Sequence, residues 1–293
     1  MKIGLGTAQF GLDYGISNRS GQVDEGEIRE IIAVAERAGV RVVDTAAAYG
    51  DAQGRLGRAL APDHEFRIVT KLPRLPEELA TAATNAWIRD AFAASLGRLR
   101  ATAVYGLLAH HVGDLLGPRG PQVWSVLESL RSDGLVEKIG ASIYTAHDLD
   151  SLLERYPLQL VQVPLNVFDQ RLVESGHLAR LKTAGIEVHA RSIFLQGLLL
   201  MDTDALGDGY FDPTRAPLAA FRSAASDAGC TPLQAAVCFA MSVDEVDAAV
   251  VGVTDAAQFA EIIAAATPTL ARDWFRPFAL DDERILDPSR WPT

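Results

Sequence analysis

The chain has 293 residues, 48% of them apolar, which supplies a large core and suits one α/β barrel or two small domains. A formal net charge of −11 argues against nucleic acid as a partner, because phosphate binding needs clustered lysine and arginine. No apolar run approaches the roughly 18 residues of a membrane helix, so no membrane association is expected.

The opening stretch, Met1-Lys-Ile-Gly-Leu-Gly-Thr7, carries one charge and breaks into glycines before a signal-peptide core can form. The expectation is a cytoplasmic protein. Residues 2–7 read as the first strand. The polar, turn-rich segment from Gly11 to Gly21 follows it, with Tyr14 and Arg19 as candidate pocket contacts. Residues 25–38 place Ile28, Ile31, Ile32 and Ala35 on one helical face. Asp24 and Glu27 have the spacing of a capping box, and Gly39 closes the helix.

Further strands are predicted at residues 41–44, 66–70, 103–109, 136–141, 159–163, 187–190 and 248–251. Helical patterns fall between them, including residues 88–99, 123–131, 172–183 and 256–266. Eight strand–helix units with no composition shift between them predict a TIM (β/α)8 barrel, with 1–293 as a single domain. An open doubly wound sheet is the alternative, but no Gly-x-Gly-x-x-Gly follows the first strand.

Residues 191–215 are too long and glycine-rich for a simple turn and predict a loop over the active end after strand seven. Beyond Thr267 an aromatic tail with Trp274, Phe275, Phe278 and Trp291 is expected to pack across the barrel surface. Cys230 and Cys238 share one helical segment without ligand-like neighbours, so inert thiols are expected and no metal site.

Four residues carry the chemistry. Asp44 ends strand two, Tyr49 lies in its loop, Lys71 ends strand three and His110 ends strand four. Neighbouring strands lie about 4.8 Å apart, so these groups can meet at the carboxyl face of a barrel. Tyrosine is a weak acid, with a reference pKa of about 10. A nearby ammonium is expected to lower that pKa, Asp44 to hold Lys71 charged, and His110 to donate to a substrate carbonyl or relay the proton. Each has a plainer role when taken alone: a helix cap, loop packing, a solvated strand end, or a partly buried histidine beside His111. Their order on consecutive strands favours the joint reading. Arg74, three residues past Lys71, is another candidate at the mouth.

The motifs Gly6-Thr-Ala, Asp44-Thr-Ala-x-x-Tyr49-Gly50, Thr70-Lys71, Leu107-Leu-x-His110 and Gly134-Leu-Val-x-Lys-Ile-Gly140-x-Ser142 resemble successive signatures of the aldo-keto reductases. Gln162-Val-x-x-Asn166 and the stretch from Ser192 to Gly197-Leu-Leu extend the resemblance over nearly the whole chain. It implies a (β/α)8 barrel holding NADP(H) across its carboxyl-end face and reducing an aldehyde or ketone to an alcohol. Tyr49 is then the proton donor, with Asp44, Lys71 and His110 around it. Gly6, Thr7, Ser142, Gln162, Arg191, Ser192, Gly197, Gly252 and Gln258 fall at cofactor-binding positions.

Three positions depart from the family pattern. Ile143 stands where an asparagine usually binds the nicotinamide carboxamide, which leaves Ser142 and Gln162 for that group. Arg191 replaces an aromatic residue. It can stack on a ring, reach an anionic substrate, or pair with a loop carboxylate. Residues 223–271 contain no lysine or arginine, so discrimination for the 2′-phosphate is expected to be weak and NAD(H) use possible. Asp255 there suits a free 2′-hydroxyl, or caps the following helix.

The substrate is expected to be a small carbonyl compound, unspecified by sequence, and oligomeric state is likewise unreadable. A nucleotide-binding barrel with a regulatory or interaction role is the alternative. A metal-dependent hydrolase is disfavoured, since no HxH or His–carboxylate cluster accompanies strand one.

Overall fold

The computed structural model describes residues 1–207, 209–267 and 269–292. Eight parallel strands close into a barrel in chain order, with the last pairing to the first. They are β1 (Ile3–Gly6), β2 (Val42–Asp44), β3 (Arg67–Leu72), β4 (Val104–Ala109), β5 (Val136–Ser142), β6 (Leu160–Pro164), β7 (Glu187–Arg191) and β8 (Ala248–Gly252). Most are continuous buried runs, as strands covered on both faces require. Val42, Val69, Tyr105, Leu108, Leu160 and Ala248 form a separate cluster that fills the barrel, so its axis is a packed core.

The first long helix packs outside through the face expected. Glu25–Arg37 buries Ile28, Ile31, Ile32 and Ala35, and Asp24 accepts from the backbone N–H of Glu27 at 2.9 Å. The reciprocal half of the capping box is not made. Glu27 instead accepts from the N–H of Ala256 at 2.7 Å, which ties this helix to the start of Ala256–Ala264. The helix predicted over 172–183 is two pieces, Arg171–Glu174 and His177–Thr183. Between them Gly176 takes a φ of 77°, which breaks the α path.

The third strand runs two residues further than predicted, so Lys71 lies inside β3. Its ammonium can be buried there because a buried carboxylate receives it. The loop after β7 is built from short 3-10 turns at Leu195–Leu200, Thr203–Ala205 and Asp212–Thr214, and leads into the helix Arg215–Asp227. The aromatic tail holds it in place. Trp291 packs edge-on against Phe211 with ring centroids 4.9 Å apart, and Phe278 meets Phe221 at 5.6 Å.

At the opposite end of the barrel Glu187 accepts from Lys138, from Tyr105 at 2.5 Å and from His189 at 2.7 Å. Burial alone would raise its carboxyl, but these bonds outweigh it and push the group down to about 2. Both cysteines are free thiols, Cys238 buried and Cys230 half-buried. No helix among the described residues is long and apolar enough to cross a membrane, and no group of three His, Cys, Asp or Glu side chains is placed to hold a metal.

Candidate active site

The carboxyl ends of the strands open into a cleft of about 540 Å³, within the usual size of a small-molecule site. Register brings the chemistry together. Asp44 ends β2 opposite Val69 of β3, Lys71 lies two residues beyond Val69, and His110 follows the last residue of β4. Tyr49 comes from the turn after β2. A Cβ on Gly50 would meet the carbonyl oxygen of Gly11 at 2.4 Å, and its φ is 54°, so the turn requires glycine there.

Lys71 Nζ donates to both oxygens of Asp44, at 2.6 and 2.8 Å, and to the carbonyl of Thr45 at 3.1 Å. It lies 3.4 Å from the Tyr49 hydroxyl. The His110 ring meets the Tyr49 ring edge-on at 5.9 Å, and its Nδ1 is buried without a partner among the described residues. All four predicted catalytic residues therefore converge. Asp44, Tyr49 and His110 line the cleft, and Lys71 sits fully buried behind them.

Electrostatics correct one expectation. The Tyr49 phenol is held above its ordinary value, first by burial and then by the Asp44 charge. Arg191 works against this shift, and Lys71 is held in an ion pair with Asp44. Burial pulls the Lys71 ammonium below its usual range, opposed by Asp44. His110 is lowered to about 3 by burial and then by the charges of Lys71, His111 and Arg191. The site thus presents a neutral phenol and a neutral imidazole around a closed ion pair.

The nine predicted cofactor positions all line the cleft, but several side chains are otherwise engaged. Thr7 donates its hydroxyl to the Asp44 carbonyl at 3.0 Å, bracing β2. Gln162 gives its amide N–H to Asp44 at 2.8 Å, and its Oε1 is buried with no partner among the described residues. The Gln258 side chain accepts from the Thr254 N–H at 2.9 Å. Asp255 caps the helix through the Gln258 N–H at 2.7 Å, one of the two roles expected of it. Gly6 and Gly252 are register partners on the cleft floor, where a Cβ on Gly252 would strike Gln9 at 2.4 Å. Ser192 and Gly197 have positive φ, 61° and 95°, and a Cβ on Gly197 would overlap Ser17. The loop after β7 thereby meets the loop after β1, and Ile16 donates to the Gln196 carbonyl at 3.1 Å.

Arg191 makes no ion pair among the described residues, which removes the loop-carboxylate reading. Its guanidinium lies 4.1 Å from the centre of the Tyr144 ring and donates to the Ile143 carbonyl at 2.9 Å. Ile143 contributes only that carbonyl, its side chain being buried in the core. Tyr144 was missed in the sequence; an aromatic two positions after Ser142 was the available signal. Tyr14 and Arg19 line the cleft as expected, whereas Arg74 does not and pairs with Glu77 at 3.4 Å on the surface.

The sequence profile of the Aldo/keto reductase family matches residues 2–276. An aldo-keto reductase of Mycolicibacterium vanbaalenii is 34% identical over 139 residues, which cover 45% of this chain and 46% of that protein. The NADH-specific methylglyoxal reductase of Escherichia coli is 28% identical over 216 residues, covering 68% of this chain and 65% of that one. In these matches the chain spans about half the length of the mycobacterial relatives, 46%. A solved aldo-keto reductase from Bacillus halodurans superposes with a TM-score of 0.75 at 19% identity, over 99% of this chain and 95% of that one, a likeness of fold.

Proposed function

This chain belongs to the aldo/keto reductase family, and from that premise we propose that its cleft reduces an aldehyde or ketone to an alcohol with Tyr49 as the proton donor. The observation that carries the reading is the convergence of Tyr49, Lys71, Asp44 and His110 at one end of the cleft. A neutral phenol at the mouth has a proton to give to a carbonyl oxygen as negative charge develops there. Lys71, 3.4 Å away, favours the phenolate that remains, while Asp44 and Gln162 fix the ammonium and its partner in place. His110, neutral at physiological pH, offers a ring nitrogen to orient the carbonyl oxygen rather than a charge.

The cleft's residues fit a nicotinamide dinucleotide. Gln162 Oε1 is an unengaged buried acceptor beside its register partner Ser142, suited to a primary amide. The paired glycines Gly6 and Gly252 add no side chain of their own to the floor, where the Gln9 amide packs against Gly252. When bound, the reduced dinucleotide supplies hydride to the carbonyl carbon. Ser142, Gln162, Ser192, Gly197 and Gln258 would hold it, and the absence of lysine and arginine from residues 223–271 leaves little to clamp a 2′-phosphate. The dissociation constants of NADH and NADPH, read from quenching of protein fluorescence, should accordingly lie within about tenfold of each other. An advantage for NADPH of about a hundredfold or more would sink the preference argument.

A further inference from the structure

Among the described residues the cleft is lined by one carboxylate, Asp44, and two guanidinium groups, Arg19 and Arg191. Asp44 is matched by Lys71, so the lining is left positive on a chain of formal charge −11. Such a lining concentrates anions at the cleft. Arg19 is exposed on the first loop, but Arg191 is part-buried at the end of β7.

Three of the five guanidinium N–H bonds of Arg191 are engaged. Nε points to Ser142 Oγ at 3.4 Å, Nη1 to Ser192 Oγ at 3.3 Å and Nη2 to the Ile143 carbonyl at 2.9 Å. One N–H on each terminal nitrogen is left. The Tyr144 ring at 4.1 Å backs the guanidinium, and the three bonds hold it in place. A fixed planar cation with two open donors suits the two oxygens of a carboxylate. It also stands beside the reacting end. Its charge reaches Tyr49, Lys71 and His110.

We propose that Arg191 anchors a carboxylate on the carbonyl substrate, so that the preferred substrates are aldehydes or ketones carrying an acid group. This rests on the carbonyl-reduction reading above. The dinucleotide's phosphates are the other source of anionic oxygen, and the experiment separates the two.

The full chain and its Arg191→Met and Arg191→Lys variants are assayed with succinic semialdehyde and with 4-methylpentanal, which replaces the carboxylate by an uncharged branched group of similar size. Wild type should favour the acid. The ratio of the two kcat/KM values should fall about 30-fold in Arg191→Met, the loss of a charge-assisted pair, with part of it kept in Arg191→Lys. Dinucleotide affinity, read by fluorescence quenching, should move less than that ratio. An unchanged ratio overturns the proposal, and so does a loss confined to dinucleotide affinity. If wild type reduces neither aldehyde, the reduction reading fails and the anchor is read from succinate binding by calorimetry. The anchor then requires binding that weakens about 30-fold in Arg191→Met, and absent or equal binding overturns it.

Discussion

Tyr49→Phe is expected to lower kcat by about 10³-fold while the protein stays folded, since general-acid catalysis is typically worth 10²–10⁴-fold. The substitution removes one hydroxyl whose hydrogen-bond partner among the described residues is Lys71, 3.4 Å away. A bond that long carries little stability, so unfolding free energy should change by less than about 1 kcal/mol. The pH profile of the wild type belongs to the same expectation. His110, lowered to about 3, remains neutral down to mildly acidic pH, so kcat should show no histidine inflection near its ordinary value. For stability the sign follows from the depressed pKa. The unfolded imidazole takes up a proton near its ordinary value and the folded one only near about 3, so this contribution is present above the ordinary value and lost as pH falls through that window. Rates of nicotinamide oxidation at saturating aldehyde test the first point. A Tyr49→Phe enzyme with near wild-type kcat would remove the tyrosine from the mechanism.

Lys71→Met should cost both stability and activity. The Lys71 side chain is 0% exposed and that of Asp44 5%, so removing the ammonium strands a buried carboxylate with Gln162 as its remaining side-chain donor. Breaking such a pair typically costs about 3–5 kcal/mol, and denaturant titration should find a loss of that order. Removing both charges behaves differently. In Asp44→Asn combined with Lys71→Met no isolated charge is left, and most of the stability should return. Activity should not return, because no cation then stands beside the Tyr49 oxygen. Recovery of stability without recovery of rate separates the pair's catalytic role from its structural one. A single variant within about 1 kcal/mol of wild type would mean that water reaches the pair.

The barrel was legible because each strand is a short β-branched run bounded by turn residues, and eight such runs alternate with helical periods. The tetrad was legible for a related reason: strand ends in a parallel barrel share one face, so order along the chain becomes proximity in space. What failed depends on facts that periodicity does not carry. Lys71 extended its strand because its charge met Asp44, a partner 27 residues away. Gly176 divided a helix through backbone conformation alone. The direction of the Gln162 amide, with its N–H on Asp44 and its oxygen free, is a choice made by neighbours on other strands. The expected lowering of the Tyr49 pKa failed because burial of the phenol and the Asp44 charge beside it both act in the opposite direction. Arg191 stood out as a departure, but its partner Tyr144 emerges only once β5 and β7 end at the same face.

The most direct measurement is the product balance of wild-type turnover with an acid-bearing aldehyde. Carbonyl reduction in the Tyr49 cleft predicts alcohol formed mole for mole with the reduced dinucleotide consumed. Tight dinucleotide binding with no alcohol formed would contradict it and leave a nucleotide-binding barrel.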